Sequence, residues 1–564
     1  MNRITNNRWL KKESIRVLFF ALLLSLLFVM PLLIKGDLVY GDDLVYHLSR
    51  IKELVGWLMD GEFNFPGIST RSFYLIGYGV NLFYPWITLV PFAFLSQLFE
   101  NAAFAISLGF FFYTFLTAWI AYWCMKRFSQ SWVASVSFTL FYVFATYRTI
   151  DGLTRFALPE FIALTFLPLL VWSTYEVLFK EVRSWIWVTI SFALIVCTHV
   201  LSAFLISLYL VLFWVGSLYF IREKVKRTFI LIGAGGLAIA GSAFFLIPFL
   251  EEQLFQTFLQ PSPVTLAGNT LSELLGHGLT NDLTQSSLGG IYTIGLPCLL
   301  VLMFGCLFWK KMTRTYRLIY ILSWFTFWLS TDLFPWGIFQ HTIINVIQYP
   351  FRLMMFTTLF TCLTGANIVK LISEDQSLGK RSLLGLLGVN LILCFLPWLI
   401  SVQRMMDQAY SFASDTETIF FEDPDNRYSM WIDQYAPASS QPYIDEIYQH
   451  VGYIDGDAYL IPPQNQGQKI QYSMQIEKDQ TSIDLPIIRY KNTIVWVNQK
   501  EVDMTSSERG TVQIEVDSGP TIVEVGYKAS KVIRISFYIS FFTWLVILLR
   551  YFFYELYRKL KKVR

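Results

Sequence analysis

Charge is what this sequence has least of: Lys, Arg, Asp and Glu make up 15% of its 564 residues, while 54% are hydrophobic. That balance excludes an ordinary soluble domain. The formal net charge of +3 says little about a partner, because in such a chain the placement of Lys and Arg matters more than their sum. Cysteine is also thin. Cys124, Cys197, Cys298, Cys306, Cys362 and Cys394 all fall in or beside apolar segments, and none lies in the long polar region near the C-terminus. A disulfide framework and a cysteine zinc cluster are thereby excluded. The five histidines are scattered, and there is neither an internal repeat nor a low-complexity tract.

What the chain has is repeated apolar runs of about 20 residues, the length that crosses a hydrocarbon core. Residues 17–34 follow Arg3, Arg8, Lys11, Lys12 and Arg16 but lack a small-residue cleavage pattern, so they read as a retained span rather than a signal peptide. Further spans are expected near 102–123, 131–148, 160–179, 185–200, 201–221, 228–249, 290–309, 316–331, 352–371, 382–402 and 535–553. The stretch 83–99 carries Pro85 and Pro91 and is expected to be a surface or re-entrant element instead. With that choice every basic cluster after the first span, from Lys126-Arg127 to the tail ending at Arg564, falls on one side. The expectation is a mainly α, polytopic protein of about 12 transmembrane helices with both termini cytoplasmic.

Three segments then lie outside. Residues 35–101 hold two juxtamembrane helices, near 44–60 and 83–99. Residues 251–289 resemble a long lid-like loop. Residues 403–531 form a domain whose strands alternate as 469–476, 493–498, 511–516 and 521–527, expected to be β-sandwich-like. The domain plan is therefore 1–402 for the membrane body, 403–531 for the extracytoplasmic β domain, and 532–564 for the last helix and basic tail.

Charged residues are nearly absent from the middles of these spans and collect at their outer ends, where desolvation makes them candidates for function. If Asp43 opens a helix, then Asp43, His47 and Arg50 share a face beside an apolar stripe of Leu44, Leu48, Ile51, Val55 and Leu58. Such a helix would lie along the membrane surface. A donor linked to a lipid phosphate needs a carboxylate to take a proton from the acceptor hydroxyl, and cations for the departing phosphate. Asp43 and Asp42 suit the first task, and Arg155 and Arg352 the second, since a guanidinium grips phosphate oxygens bidentately. Each has a plainer reading: Asp42 or Asp43 as a helix cap, Arg155 paired with Glu160, Arg352 reaching to headgroups, His199 as a helix-turn contact. Asp42 and Asp43 are also the candidate ligands for a divalent cation.

The strings Asp43-Leu-Val-Tyr-His47-Leu-Ser-Arg50-Ile51, Arg155-Phe-Ala-Leu-Pro-Glu160, Thr198-His199, Gln348-Tyr-Pro-Phe-Arg352 and Pro486-Ile-Ile-Arg-Tyr490, taken in order, resemble the bacterial YfhO-like membrane proteins. They also resemble the related group labelled 6-pyruvoyl-tetrahydropterin synthase-related. An aspartate just after the first span, followed by two juxtamembrane helices, is similar to the GT-C class of glycosyltransferases. The resemblance implies a GT-C-like fold and transfer of a sugar from a polyprenyl-phosphate carrier to a cell-envelope glycan or teichoic-acid-like acceptor. The site would face outward across a bacterial plasma membrane, with no nucleic-acid partner. By this resemblance Asp43 matches the family aspartate, with Asp42 as its neighbour. His47, Arg50, Arg155, Glu160, His199 and Arg352 are the substrate-binding set. The pterin-synthase label is disfavoured, since that soluble enzyme needs a compact set of zinc histidines. Competing readings are a lipid-linked glycan transporter or flippase, and a noncatalytic envelope-assembly protein.

Overall fold

Apolar runs flanked by Lys and Arg become helices because a lipid-embedded backbone must satisfy its own hydrogen bonds. The computed structural model describes residues 2–39, 41–62, 64–258, 265–284, 292–374, 379–407 and 434–563. Among these, seven helices are long and apolar enough to cross a membrane: Glu13–Lys35, Ala102–Ser129, Leu158–Phe179, Val200–Ser217, Pro350–Ser373, Ser382–Asp407 and Lys531–Phe553. Two bent pairs, Trp132–Val143 with Thr146–Thr154 and Lys224–Gly241 with Ala243–Phe255, raise the number to nine if each is one span.

The expected 12 spans are therefore not reached by length. Helices do stand at the other three positions, but Trp185–Val196, Gly295–Phe304 and Arg314–Leu329 have only 12, 10 and 16 residues. Even 16 residues rise about 24 Å, short of a hydrocarbon core of about 30 Å. The region read as a lid-like loop differs too. Its residues 259–264 and 285–291 lie outside the described residues, but between them Leu271–Leu279 is a helix. The Thr270 hydroxyl and the Glu273 carboxylate cap its first turn reciprocally.

The first loop carries the expected helix, Leu44–Asp60, which stops at Gly61 in the left-handed conformation (φ 67°). It does not lie open on a membrane surface. Of the expected stripe Leu44, Leu48 and Ile51 are buried and Val55 and Leu58 half-buried, yet His47 and Arg50 on the other face are buried as well. Tyr84 and Pro85 cover Arg50, the Tyr84 ring also meets His47, and Val90–Leu98 packs along the helix.

The β domain is a sandwich of ten strands: β1 Val451–Ile454, β2 Asp457–Leu460, β3 Gln464–Gln466, β4 Lys469–Ile476, β5 Thr481–Ile488, β6 Thr493–Val497, β7 Lys500–Val502, β8 Thr505–Ser506, β9 Thr511–Val516 and β10 Gly519–Tyr527. One sheet runs β2-β1-β5-β9-β8 and the other β3-β4-β10-β6-β7, with antiparallel pairing throughout. Alternate residues Ile470, Tyr472, Ile483, Leu485, Val512, Ile514, Val523 and Val525 point inward and form its core.

The sandwich is stitched to the membrane body. Ile488 N–H donates to Ile76 O (2.9 Å), and Lys491 N–H donates to a Glu252 carboxylate oxygen (3.1 Å). The Tyr490 hydroxyl accepts from Gly79 N–H (2.9 Å) and donates to Tyr435 O (2.8 Å). Tyr490→Phe would strand both partners in a buried place. It should cost about 1–3 kcal/mol, read as a lower unfolding temperature of the detergent-solubilised protein than wild type.

Candidate active site

The start of the first loop is held against the turn 150–157 by one close approach. A Cβ on Gly41 would sit 1.9 Å from Thr154 O, so only glycine lets these two backbones touch. Asp43 N–H then donates to Arg155 O (3.0 Å), and His47 N–H donates to Asp43 O (3.0 Å), which starts the Leu44–Asp60 helix. Asp43 occupies the N-cap position, yet its side chain makes no capping hydrogen bond. Its Oδ2 lies instead 3.8 Å from Arg155 Nε. The carboxylate is ringed by protein charges but its side chain keeps 38% of its surface accessible, so it faces a recess rather than a packed interior.

On the other wall, Ile150–Thr154 forms a π-helical turn, closed by Arg155 N–H to Ile150 O (2.8 Å). Such turns recur at functional sites because the extra residue re-aims the side chains around it. Here it aims Asp151 and Arg155 the same way: Arg155 Nη1 is 3.7 Å from Asp151 Oδ1 and 3.0 Å from Glu160 Oε2. Phe156, next in the chain, is left-handed (φ 61°), a conformation that costs a non-glycine residue about 1–2 kcal/mol. Arg352 arrives from the start of the Pro350–Ser373 span with Nε 4.0 Å from the same Glu160 oxygen. Its Nη1 donates to Ile347 O (3.1 Å) and Gln348 Oε1 (2.7 Å). Gln348 is a second left-handed non-glycine residue (φ 63°). Glu160, 1% exposed, also accepts from the Tyr147 hydroxyl at 2.6 Å. The Nη2 groups of Arg155 and Arg352 donate to no described protein atom.

The structure thus brings Asp43, Arg155, Glu160 and Arg352 into one network. His199 joins through its neighbours: its ring stacks on Tyr84 with centroids 5.9 Å apart, and Nδ1 meets Ser202 Oγ at 2.7 Å. Arg50 is spent differently. It donates to Pro85 O (2.7 Å) and Tyr84 O (3.3 Å), lies 4.3 Å over the Tyr84 ring, and meets His47 Nδ1 at 3.5 Å. Arg50 and His47 therefore brace the wall of the recess. Asp42 is exposed beside it.

Burial raises the Asp43 carboxyl above the ordinary aspartate range, with Arg155 and Arg352 pulling the other way. His199 is pushed down to about 3 by burial and by Arg352, Arg155 and Arg50, against the pull of Glu160. Burial, then Arg50, drives His47 well below the usual imidazole range. Both imidazoles are therefore neutral at physiological pH, and the charges of the recess are those of its carboxylates and guanidiniums.

Among the described residues no group of three or more His, Cys, Asp or Glu side chains is arranged to hold a metal ion. Asp42 and Asp43 belong to no such group of three, and Arg155 lies beside Asp43. His277, which has no evident partner in the sequence, meets Asp282 at 2.8 Å, away from the site. Sequence reasoning missed the aromatic lining: Tyr84, Tyr147, and the Tyr292–Phe351 stack (3.7 Å) under Arg155. With 30 tyrosines and 51 phenylalanines in the chain, no local signal separates these from packing residues.

No family model matches the sequence, and no curated protein matches it. Among solved structures, ArnT from Cupriavidus metallidurans bound to undecaprenyl phosphate is similar at a TM-score of 0.37, with 10% identity, over 70% of this chain and 75% of that one. A likeness at that level decides neither fold nor chemistry. The resemblance to YfhO-like proteins rests on the residue strings alone.

Gly41→Ala should force the Thr154 carbonyl away and cost about 1–3 kcal/mol. A lowered unfolding temperature, with Gly337→Ala as a control where a Cβ meets nothing within 4 Å and the backbone is not left-handed, checks this.

Proposed function

We propose that this protein is a GT-C-like membrane glycosyltransferase that moves a sugar from a polyprenyl-phosphate carrier to a hydroxyl of a cell-envelope glycan, at the outer face of the membrane. The observation that carries the reading is the pairing of a carboxylate that makes no capping bond at a helix start with two guanidiniums whose Nη2 ends donate to no described protein atom, all at one recess beside membrane-spanning helices. In a direct displacement the acceptor oxygen bonds to the anomeric carbon as the bond from that carbon to the phosphate oxygen breaks. Asp43 takes the acceptor proton. Arg155 and Arg352 receive the phosphate oxygens as negative charge gathers on them. Glu160 holds the two arginines at that spacing and touches neither reactant. The neutral His199 and the tyrosines line the sugar's side of the recess.

Asp43→Asn keeps the shape and removes the base, so transfer from a polyprenyl-phosphate sugar by purified protein should fall about 10²–10⁴-fold. Asp42→Asn should retain most of the activity. Arg155→Gln or Arg352→Gln should lower kcat more than it raises KM, because the charge they meet develops at the transition state. Full transfer by the double variant at Asp42 and Asp43 would refute the reading, and lipid translocation without transfer would favour a flippase.

The pH profile gives a second check. A base must be ionised, and the carboxyl of Asp43 is raised, so activity is lost as pH falls through a value above the ordinary aspartate range. Removing the Arg155 charge should move that acid limb further up, since the guanidinium favours the carboxylate.

A further inference from the structure

Between the helix Arg314–Leu329 and the Pro350–Ser373 span the chain runs through two short 3₁₀ turns, Trp336–Phe339 and Ile343–Ile347. Aliphatic side chains stand out from this loop. Ile338 is 72% and Ile343 82% exposed, with Leu333 and Val346 exposed beside them. Residues 331–349 contain no Lys or Arg, and Asp332 is their one acid. Large apolar side chains bared together mark a surface that meets a partner.

The backbone of the loop indicates which partner. The backbone N–H groups of Ile338, Gln340, Thr342, Asn345 and Gln348 donate to the carbonyls of Pro335 (3.2 Å), Gly337 (3.3 Å), Phe339 (3.1 Å), Thr342 (3.0 Å) and Asn345 (2.9 Å) in turn. A loop in water can leave such groups to solvent, whereas a segment entering lipid must satisfy them internally. The loop also continues the lipid face of the helix before it. Ile321, Trp324, Phe325 and Trp328 are exposed along that helix, and the Trp328 ring meets Phe334 edge-on at 5.0 Å. Trp336 Nε1 then donates to Leu329 O (2.8 Å), which folds the loop back onto the helix end. Because this helix is too short to cross a hydrocarbon core alone, apolar surface at its end extends its reach. Trp328 and Tyr349, both exposed at the roots of the loop, are the residue types that settle at headgroup level.

We propose that residues 333–346 lie in the boundary between headgroups and acyl chains, as a monotopic anchor at the rim of the recess. The partner is the lipid surface, met through apolar side chains rather than through charge. The anchor is tied to Arg352, whose Nη1 donates to Ile347 O (3.1 Å) and Gln348 Oε1 (2.7 Å) at its end. Lipid that holds the loop thereby holds this guanidinium at the level where a carrier phosphate lies. That last step rests on the transferase reading, whereas insertion of the loop does not.

The test is fluorescence quenching on the full chain in phosphatidylcholine nanodiscs. Ile338→Cys and Ile343→Cys carry bimane in a Cys306→Ser background, which removes the exposed native thiol, and Tyr459→Cys on the sandwich is the water-facing control. Lipid with a doxyl group near the top of its acyl chain should quench both loop probes, and iodide should quench only the probe at 459. Iodide reaching the loop probes equally would overturn the anchor. So would shielding from both quenchers, the pattern that a protein cover or a second copy produces. Ile338→Asn combined with Ile343→Asn should raise KM for a long-chain polyprenyl-phosphate sugar roughly tenfold with kcat near wild type, thermal unfolding showing that the variant is folded. An unchanged KM would overturn the tie to the donor. If wild type transfers no sugar, the transferase reading fails and the quenching pattern alone decides the anchor.

Discussion

One carboxylate sets the geometry of the recess. Glu160 sits almost fully enclosed at the start of an apolar helix, with Arg155 at 3.0 Å, Arg352 at 4.0 Å and the Tyr147 phenol at 2.6 Å. Two guanidiniums brought this close would repel, and neither has much water to screen it. A shared carboxylate removes that obstacle and fixes their separation. Buried ion clusters of this kind rarely add stability over an apolar replacement, because desolvation offsets the attraction. Their contribution is a defined arrangement, which the proposed binding of phosphate oxygens would require.

The remaining local features serve the same arrangement from the backbone side. Gly41 permits contact with Thr154, the π-helical turn rotates Asp151 and Arg155 toward Glu160, and left-handed residues stand at Phe156 and Gln348 beside the two arginines. Strained backbone persists where its surroundings over-determine it, and such places concentrate at functional sites. Arg50 shows the contrast. It is as deeply buried as the others but answers to carbonyl oxygens and an aromatic face. It therefore holds the Tyr84–Pro85 corner in place.

Much of this was legible in the sequence where a residue's role depends on its own segment. The Leu44–Asp60 helix follows from its apolar stripe and terminal glycine, and β4, β6, β9 and β10 follow from strict alternation. The ionisable residues stand out because charge is rare in such a chain, and this alone marks Asp43, Arg155, Glu160, His199 and Arg352 as candidates. Roles that depend on partners far along the chain were not legible. Arg50 looks the same whether it faces a ligand or Pro85. The phenol of Tyr147 is one among many. Helices are shorter than the apolar runs at 185–200 and 290–309, because hydropathy continues through residues that leave the helix, whereas at 316–331 the helix is as long as the run.

The last connection runs from the sandwich to the recess. Tyr490 bonds to Tyr435 O and to Gly79 N–H, the ring of Tyr435 stacks on Phe83 at 5.2 Å, and it meets Tyr84 edge-on at 6.3 Å. Tyr84 in turn stacks on His199 and covers Arg50. This path is made of packed rings and buried hydrogen bonds, which transmit position because they have no slack. A soluble β domain joined only by linkers would leave the first loop free to move against the helices. Here the first loop is clamped between sandwich and membrane body, so Asp43, carried on that loop, meets Arg155 and Arg352 at fixed distances. The sandwich is therefore part of the scaffold that makes the recess, and its aromatic seam is as necessary to the alignment of acid and guanidinium as the glycine at 41.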